Sequence, residues 1–388
     1  MATSGFRLNE DATVDGTTKA ARDTRKHVVL IGAGHAHVEV LRRFRLLPDP
    51  LVRLTLVTPS PETSYSGMVP GYVAGHYSRA EIHIRVDRLA NFEACTAVFQ
   101  RAVELEANSC RVKLEDGSWI RGDAVSIDVG ARATQTVPAG RHTMIVPAKP
   151  MDDFERGWAQ VEPLLQTDKD MSFGIVGGGG AGVELALAIH YRLDRFRDGA
   201  HRAARIVLLE RSQEILQGFS ADARQRLIRI LSTRGVKIRT KADGCDGDAL
   251  DREFSALIVA AGVRPVKWLS GSGLATDAAG YVAVNRYLQS ISHPGVFAAG
   301  DAAGMVETPR PKSGVMAVRQ GPVLAENLRR MAHGLALKPF SPQREWLNLI
   351  STGEKYAVAS RGRWSAEGHW VWRWKDFIDR KFMRRFEF

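Results

Sequence analysis

A repeated strand, glycine turn and helix constrains the fold of this 388-residue chain more than any other feature. The segment IGAGHAHVEV at 31–40 aligns without a gap with VGGGGAGVEL at 176–185. An apolar run precedes each turn, a helix-compatible segment follows it, and another apolar run comes next, at 54–57 and at 205–210. This order is typical of a βαβ unit. The repeat predicts two such units, and chance similarity between glycine-rich turns is the alternative.

The second turn is complete, with Gly177, Gly179 and Gly182 in the spacing G-x-G-x-x-G. These glycines allow a tight turn, close approach of a diphosphate and close packing of helix on strand. Glu210 ends the following strand, where a carboxylate binds a ribose and disfavours a 2′-phosphate. The second unit is therefore predicted to bind NADH, while the adjacent Arg211 leaves NADPH as the alternative.

The first turn keeps Gly32 and Gly34 but has His37 in the place of the third glycine. Thr58, rather than an acid, ends the next strand. We expect the bulky third residue to spread the helix from the strand, and the missing carboxylate to remove one ribose contact. His35 and His37 are two residues apart and do not share a helix face, so we predict no metal site.

Two other segments belong to the same pattern. Gly130 ends an apolar run in SIDVGAR at 126–132, and Gly262 does so in IVAAGVR at 258–264. The run GVFAAGDAA at 295–303 delivers Gly300 and Asp301 at its end. A carboxylate there can bind a polyhydroxylated chain such as a flavin ribityl, and a turn-capping aspartate is the alternative.

With these motifs the chain resembles the flavoproteins of the pyridine nucleotide–disulfide oxidoreductase superfamily, close to type II NADH:quinone oxidoreductases. More narrowly, it is similar to the NADH-dehydrogenase-like flavoprotein associated with or fused to selenide, water dikinase. Further matching segments are YSGMVPGYVAGHYS, SGVMAVRQGPVLAENLR and WRWKDFIDRKFM. The resemblance implies an α/β fold of two Rossmann-like domains, the second inserted in the first, followed by a C-terminal α+β region.

The resemblance also implies FAD and NADH as cofactors and assigns residues to them. FAD is expected to contact the first turn, a loop over the flavin, the segment after a later strand and the start of the helix that follows: Gly32, Gly34, His37, Thr58, Ser66, Gly67, Met68, Pro70, Gly300, Asp301, Ser313 and Gly314. NADH is expected at Gly177, Gly179, Gly182 and Glu210. Gly130 and Gly262 are further predicted cofactor-binding residues. Glu184 and Gln320 are the predicted catalytic residues, with a helix-stabilising first-turn glutamate as the alternative for Glu184.

We predict the following organisation. A disordered tail covers 1–26, the FAD-binding domain covers 27–150 and 280–345, the NAD(P)H-binding domain covers 151–279, and a C-terminal interface region covers 346–388. Asp116-Gly117 predicts a small hairpin within the first domain.

The cysteines bear on mechanism. Cys95, Cys110 and Cys245 include no C-x-x-C pair, which disfavours a redox disulfide and a thiol or sulfide oxidoreductase. We therefore predict an enzyme that passes electrons from NADH through flavin to a quinone-like acceptor. The alternative is a redox sensor or accessory partner of selenophosphate synthesis with slow turnover. The low cysteine content also predicts a cytoplasmic protein.

The C-terminal region is basic and aromatic, in a chain of net charge +11. A helix is predicted from about Trp372, with Trp374, Phe377, Ile378 and Phe382 in one apolar stripe. Tryptophan beside lysine and arginine is typical of a membrane interface, which predicts peripheral attachment to the inner face of the membrane. Docking on the chain's own core or a homodimer is the alternative. Nucleic acid is disfavoured because no recognition motif accompanies the charge.

Overall fold

The computed structural model describes residues 24–134, 143–168, 170–196, 205–241 and 247–388. Most of the predicted tail therefore lies outside the described residues, and Lys26 already begins the first strand.

The first part of the chain forms the expected strand–turn–helix–strand unit and a set of short elements after it. Its strands are β1 (Lys26–Ile31), β2 (Val52–Val57), β3 (Glu62–Ser64), β4 (His83–Arg85), β5 (Cys95–Val98), β6 (Ala102–Glu106), β7 (Arg111–Leu114), β8 (Trp119–Arg121), β9 (Ala124–Ile127) and β10 (Arg132–Ala133). Its helices are α1 (His35–Leu46), α2 (Val69–Val73), α3 (Arg79–Ile82) and α4 (Val86–Leu89).

The middle part repeats the unit. Its strands are β11 (Met144–Pro147), β12 (Ser172–Val176), β13 (Arg205–Leu209), β14 (Lys237–Arg239), β15 (Ala256–Val259) and β16 (Val263–Arg264). Its helices are α5 (Met151–Val161), α6 (Leu164–Thr167), α7 (Gly180–Asp194), α8 (Ala221–Thr233) and α9 (Gly247–Glu253).

The last part returns to the first sheet and then forms the C-terminal region. Its strands are β17 (Val282–Val284), β18 (Val296–Ala298), β19 (Ala303–Met305), β20 (Asn348–Ser351), β21 (Ala357–Arg361) and β22 (Trp364–Gly368). Its helices are α10 (Gly314–Ala332) and α11 (His369–Met383), so the last helix begins three residues before its predicted start.

Two parallel sheets organise the molecule. The first has the order β18-β9-β1-β2-β5 and the second the order β11-β15-β12-β13-β14. In the first, Val28 of β1 lies between Leu54 of β2 and Ala124 of β9. Five consecutive buried residues in β1 agree with a central strand covered on both faces. Because β18 returns beside β9 after the second sheet is complete, the second unit is inserted in the first.

The structure moves both predicted domain boundaries to earlier positions. β11 pairs with β15 in the second sheet, so the second unit begins before residue 151. Leu269 and Leu274 already pack in the core of the first unit, so the chain returns to that unit before residue 280. Both differences arise from long-range pairing and packing, which the local sequence pattern does not encode.

Helix packing fixes the first glycine turn on its sheet. α1 packs against α10, and a Cβ at Gly321 would lie 2.7 Å from the Glu39 Cβ, so the helices cross closely there. Glu39 is buried and accepts a hydrogen bond of 2.5 Å from Arg385 near the C-terminus.

The hairpin predicted at Asp116-Gly117 joins β7 to β8, and together with β6 they form a separate antiparallel sheet.

The C-terminal region consists of the antiparallel sheet β20-β21-β22 and α11, as the α+β prediction requires. α11 buries Val371, Asp379 and Phe382. The predicted single apolar stripe is divided, because Phe382 packs inward against Tyr65 whereas Trp374, Phe377 and Ile378 are exposed. In the part of the chain that the structure describes, no helix combines the length and apolarity needed to cross a bilayer.

Candidate functional site

A cavity of about 390 Å³ lies at the carboxyl ends of β1, β2 and β9. Residues from separate predicted motifs line it: Gly32, Gly34, Thr58, Ser66, Gly130, Asp301 and Gly314. The topology explains their convergence, because the ends of parallel strands and the helices that follow them meet at one edge of the sheet. The structure thus brings residues from several separate motifs to one cavity.

His37 does not line this cavity and is completely buried beneath the turn. Its Nδ1–H donates to the Gly32 carbonyl at 2.6 Å, and its Nε2 accepts from the Ser126 hydroxyl at 2.8 Å. Burial lowers the pKa of His37 to about 4, so the ring is neutral. The bulky third residue therefore fills the space between helix and turn and cross-links them to β9.

Asp128 follows β9 and is a site residue that sequence reasoning missed. Its Oδ2 accepts hydrogen bonds from the Ala36 and His37 amides of α1, at 2.8 and 3.0 Å. A Cβ at Gly34 or Gly300 would lie 2.4 Å from this carboxylate, so both glycines are required for its approach. The signal was available in the aligned repeat, because SIDVGAR has Asp128 where IVAAGVR has Ala260.

Asp301 lines the cavity and forms an ion pair with Lys149, which lies two residues after the end of β11. Gln320 is buried, and its Oε1 accepts from the Gly300 amide at 2.7 Å. Gln320 therefore supports the Gly300-Asp301 turn from behind. These contacts place Asp301 at the cavity and Gln320 behind the turn that carries it.

The N-terminus of α10 opens on the same cavity. The Ser313 hydroxyl caps this helix by accepting from the Met316 amide at 3.4 Å, and Gly314 and Ala317 line the cavity. A Cβ at Gly314 would lie 3.3 Å from the Ser66 Oγ, so the helix start and the loop are close. This arrangement directs the partial positive charge of the helix toward the cavity.

The remaining loop residues have structural positions. Met68 and Pro70 are buried and do not line the cavity. The Gly67 carbonyl accepts from the Lys375 ammonium at 2.6 Å, so α11 holds this loop.

The second glycine turn has the closer packing expected of three glycines. A Cβ at Gly182 would lie 1.8 Å from the Gly177 carbonyl oxygen, which no side chain permits. Gly179 has open space beside it, and Gly262 has a positive φ of 53° after β15. Glu210 follows β13 and accepts from the amides of Gly178 and Ser212, at 2.6 and 2.8 Å. These hydrogen bonds lower the pKa of Glu210 against the effect of burial, so its carboxylate is charged at the turn.

Glu184 of α7 lies beside a buried polar cluster of α11. Its Oε1 accepts from the Ser351 amide at 2.8 Å, and burial raises its pKa to about 7 although Lys375 acts in the opposite direction. Lys375 donates to Asp379 at 2.7 Å, and Asp379 accepts from the Tyr65 hydroxyl at 3.2 Å. Burial lowers the pKa of Lys375, but Asp379 and Glu184 raise it more, so the ammonium is charged. The cluster links the helix after the second turn to the loop beside the first cavity.

The residues fit a flavin dinucleotide. His35 lines the cavity, and its Nε2 is buried without a hydrogen-bond partner. Gly32 and Gly34 line the cavity at the start of α1, where a diphosphate can approach the helix, and Asp301 can accept from the hydroxyls of a ribityl chain. FAD would supply the hydride-accepting ring in this cavity.

The described cysteines are remote from the cavity. Cys95 lies in β5, Cys110 lies before β7, and neither lines the cavity. Burial raises the pKa of Cys95 to about 12 and also raises that of Cys110, so both thiols are protonated. Cys245 lies outside the described residues. Among the residues that the structure describes, no group of three His, Cys, Asp or Glu side chains is placed to hold a metal ion.

Residues 26–321 match the family model described as pyridine nucleotide-disulphide oxidoreductase, and the chain belongs to this family. It is an oxidoreductase with the predicted fold class of two nucleotide-binding α/β units. A type II NADH:quinone oxidoreductase of Staphylococcus epidermidis is 22% identical over 347 residues, which cover 81% of this chain and 85% of that protein.

Two solved structures show the same fold. A sulfide:quinone oxidoreductase from Aquifex aeolicus superposes with a TM-score of 0.75 at 16% identity, covering 93% of this chain and 91% of that chain. NDH2 from Plasmodium falciparum, solved in complex with NADH, gives a TM-score of 0.73 at 13% identity, covering 93% and 98%. The narrower resemblance to a dikinase-associated flavoprotein stays a prediction.

Proposed function

We propose that this oxidoreductase binds FAD, oxidises NADH and passes the electrons to a quinone-like acceptor without a redox disulfide. The observation that carries the proposal is the convergence of the first glycine turn, Gly300-Asp301 and the start of α10 on one cavity. The second glycine turn, with Glu210 at its edge, supplies a separate dinucleotide site in the same chain.

The chain's own groups have distinct parts in this reaction. Asp301, paired with Lys149, would hold the ribityl chain, and Gln320 accepts from the Gly300 amide that precedes it. The N-terminus of α10 would stabilise negative charge in the cavity by about 0.3–2 kcal/mol. Glu184 lies on α7, beside Lys375 of α11, and its raised pKa lets it hold a proton near neutral pH.

The positions of the described thiols support direct transfer to the acceptor. A thiol relay requires a reactive thiolate at the flavin, whereas Cys95 and Cys110 lie elsewhere and are protonated. The quinone acceptor is suggested by the names of the Staphylococcus epidermidis and Aquifex aeolicus relatives.

The preference for NADH depends on Glu210. We expect Glu210→Ala to raise the KM for NADH by about 10- to 100-fold, because a hydrogen bond to a charged group contributes roughly 1.5–3 kcal/mol. Steady-state kinetics with NADH and NADPH measure the effect. Glu214→Ala removes an exposed carboxylate of the same segment and should leave KM unchanged. An unaltered KM in Glu210→Ala would show that this residue does not bind the ribose.

The direct test is a flavin assay of the purified protein. We expect it to contain FAD, to lose its visible absorbance with NADH under argon, and to regain it with a short-chain quinone. A screen of quinones, oxygen and artificial dyes then identifies the acceptor class. Rapid bleaching with slow reoxidation by every acceptor would favour the redox-sensor alternative.

We also propose that α11 attaches the protein to the inner membrane surface. Trp370 and Phe377 are 50% and 58% exposed, and Trp370 stacks on Trp374 with ring centroids 6.4 Å apart. The exposed residues Arg373, Lys381 and Arg384 add positive charge beside these rings. Aromatic rings next to cations favour an anionic bilayer surface.

The triple variant Trp370→Ser, Trp374→Ser, Phe377→Ser should therefore lose flotation with anionic vesicles by about tenfold or more. These residues face outward, so the variant keeps the buried contacts of Asp379 and Phe382 that truncation would remove. Flavin content is the control for folding. Undiminished flotation refutes the anchor, and a change from dimer to monomer in sedimentation would favour the homodimer alternative.

A further inference from the structure

Three differences between the two glycine-turn units form one connected network. The first unit has His37, Asp128 and Ser126 where the aligned second unit has Gly182, Ala260 and Ile258. The His37 ring bonds to Ser126, and the His37 amide bonds to Asp128. In the second unit, Gly182 leaves no space for a side chain beside the Gly177 carbonyl. The first turn therefore differs from the second in that the Asp128 carboxylate contacts the start of α1.

This carboxylate uses donors that ordinarily serve a phosphate. The N-terminal amides of a helix after a glycine turn bind the diphosphate of a dinucleotide. Here Asp128 accepts from two such amides, those of Ala36 and His37, and it also lines the cavity. A bound diphosphate would therefore place its negative charge next to a group that is itself an acid.

The groups around Asp128 do not neutralise it. His35 of α1 faces it, but burial lowers the pKa of His35 although Asp128 and Asp301 act in the opposite direction, so that ring is uncharged at neutral pH. Asp301, after β18, adds a like charge, and Lys149 is already paired with Asp301. Among the described residues no cation lies within ion-pair distance of Asp128.

We propose that FAD binds to this site with uptake of one proton by the Asp128 carboxyl, which makes retention of the cofactor dependent on pH. The reactants are the protein with an ionised Asp128, FAD and one proton from solvent. The product is the FAD complex in which Asp128 is a neutral carboxylic acid. The inference rests on the proposed function, since it takes FAD as the ligand of the cavity. The proton removes the repulsion between carboxylate and diphosphate while the carbonyl oxygen continues to accept from the helix amides.

The sign of the effect follows from linkage. Burial raises the pKa of Asp128 to about 6, although the helix amides and His35 act in the opposite direction. A diphosphate bound beside it would raise this pKa further. Affinity is therefore full below about pH 6, where the group is already protonated. Above that value each pH unit should weaken binding by up to about tenfold, until the pKa of the complex is passed.

The test is calorimetric titration of the flavin-free protein with FAD, in two buffers of different ionisation enthalpy, at several pH values from about 6 to 8. We expect wild-type protein to take up close to one proton above pH 7, with Kd rising as pH rises. Asp128→Asn keeps an oxygen acceptor for the helix amides and mimics the neutral acid. It should take up almost no proton, show a flat pH profile and bind more tightly than wild type at pH 8.

Three further variants make the result specific. Glu93→Gln removes an exposed carboxylate elsewhere in the first unit and should behave as wild type. Asp128→Ala introduces the residue that the second unit has at the aligned position, Ala260, and should also abolish proton uptake. Agreement between the two Asp128 variants excludes a folding defect of one of them as the cause. His35→Gln should still take up a proton when FAD binds. The inference would be overturned if His35→Gln lost proton uptake while Asp128→Asn kept it.

Two outcomes distinguish the role of Asp128 from the proposed function. FAD binding by wild type without proton uptake overturns the role of Asp128 and leaves the proposed function intact. No binding of FAD by any variant at any pH refutes the proposed function together with this inference.

Discussion

Replacing Lys375 by alanine is expected to lower the free energy of unfolding by about 3–5 kcal/mol, because it leaves the buried Asp379 carboxylate without its cation. The Lys375 side chain is 11% exposed and that of Asp379 is 6% exposed, so water cannot replace the lost partner. The substitution also removes the hydrogen bond from Lys375 to the Gly67 carbonyl. Chemical denaturation of the flavin-loaded protein measures the loss.

Two variants separate this effect from a general sensitivity of α11. Lys381→Ala removes an exposed lysine of the same helix and should change stability by less than about 0.5 kcal/mol. The double variant Lys375→Met, Asp379→Leu removes both charges and should recover much of the stability, since an apolar pair of similar volume can replace a buried ion pair. Equal stability of Lys375→Ala and Lys381→Ala would contradict the account of this cluster.

Glu184→Gln is expected to lower turnover with a quinone by about 100-fold, the lower end of what a positioned proton donor contributes. Reduction of a quinone by hydride from NADH requires one further proton. Glu184, with a pKa near 7, holds a proton at neutral pH that an ordinary exposed glutamate would have lost. The rate with wild type should therefore fall as pH rises through about 7, and the glutamine variant should lack this decline.

Stopped-flow measurement of the two half-reactions tests this role. Bleaching of the flavin by NADH should change little in Glu184→Gln, whereas reoxidation by quinone should slow. Glu162→Gln is the control and should retain both rates. The Glu162 carboxylate pairs with Arg192, which lies at the opposite end of α7 from Glu184. Loss of both half-reactions alike, or of neither, would remove Glu184 from the proton path.

Much of the fold was predictable because its signals are local. The aligned turns at 31–40 and 176–185 predict both βαβ units, and the strand that delivers Asp301 lies where the pattern placed it. The positions of Asp301 and Glu210 were predictable for the same reason, since each follows a strand of such a unit.

The residues that escaped prediction act through distant partners. His37 looked like a defect in a glycine motif, and only its bonds to Gly32 and Ser126 reveal a cross-link. Helical spacing placed Phe382 with Phe377, but Phe382 turns inward because Tyr65 packs against it. Local periodicity indicates which residues are apolar, whereas the partner across the fold determines which of them become buried.

In the proposed reaction, electrons pass from NADH through FAD to the acceptor with no thiol in the path. A variant with Cys95, Cys110 and Cys245 all replaced by serine tests it most directly. In an anaerobic titration, about one equivalent of NADH should bleach the flavin of this variant, and a quinone should restore the absorbance at the wild-type rate. Absence of bleaching in the wild-type protein, or loss of quinone-dependent reoxidation on removal of the cysteines, would contradict the account.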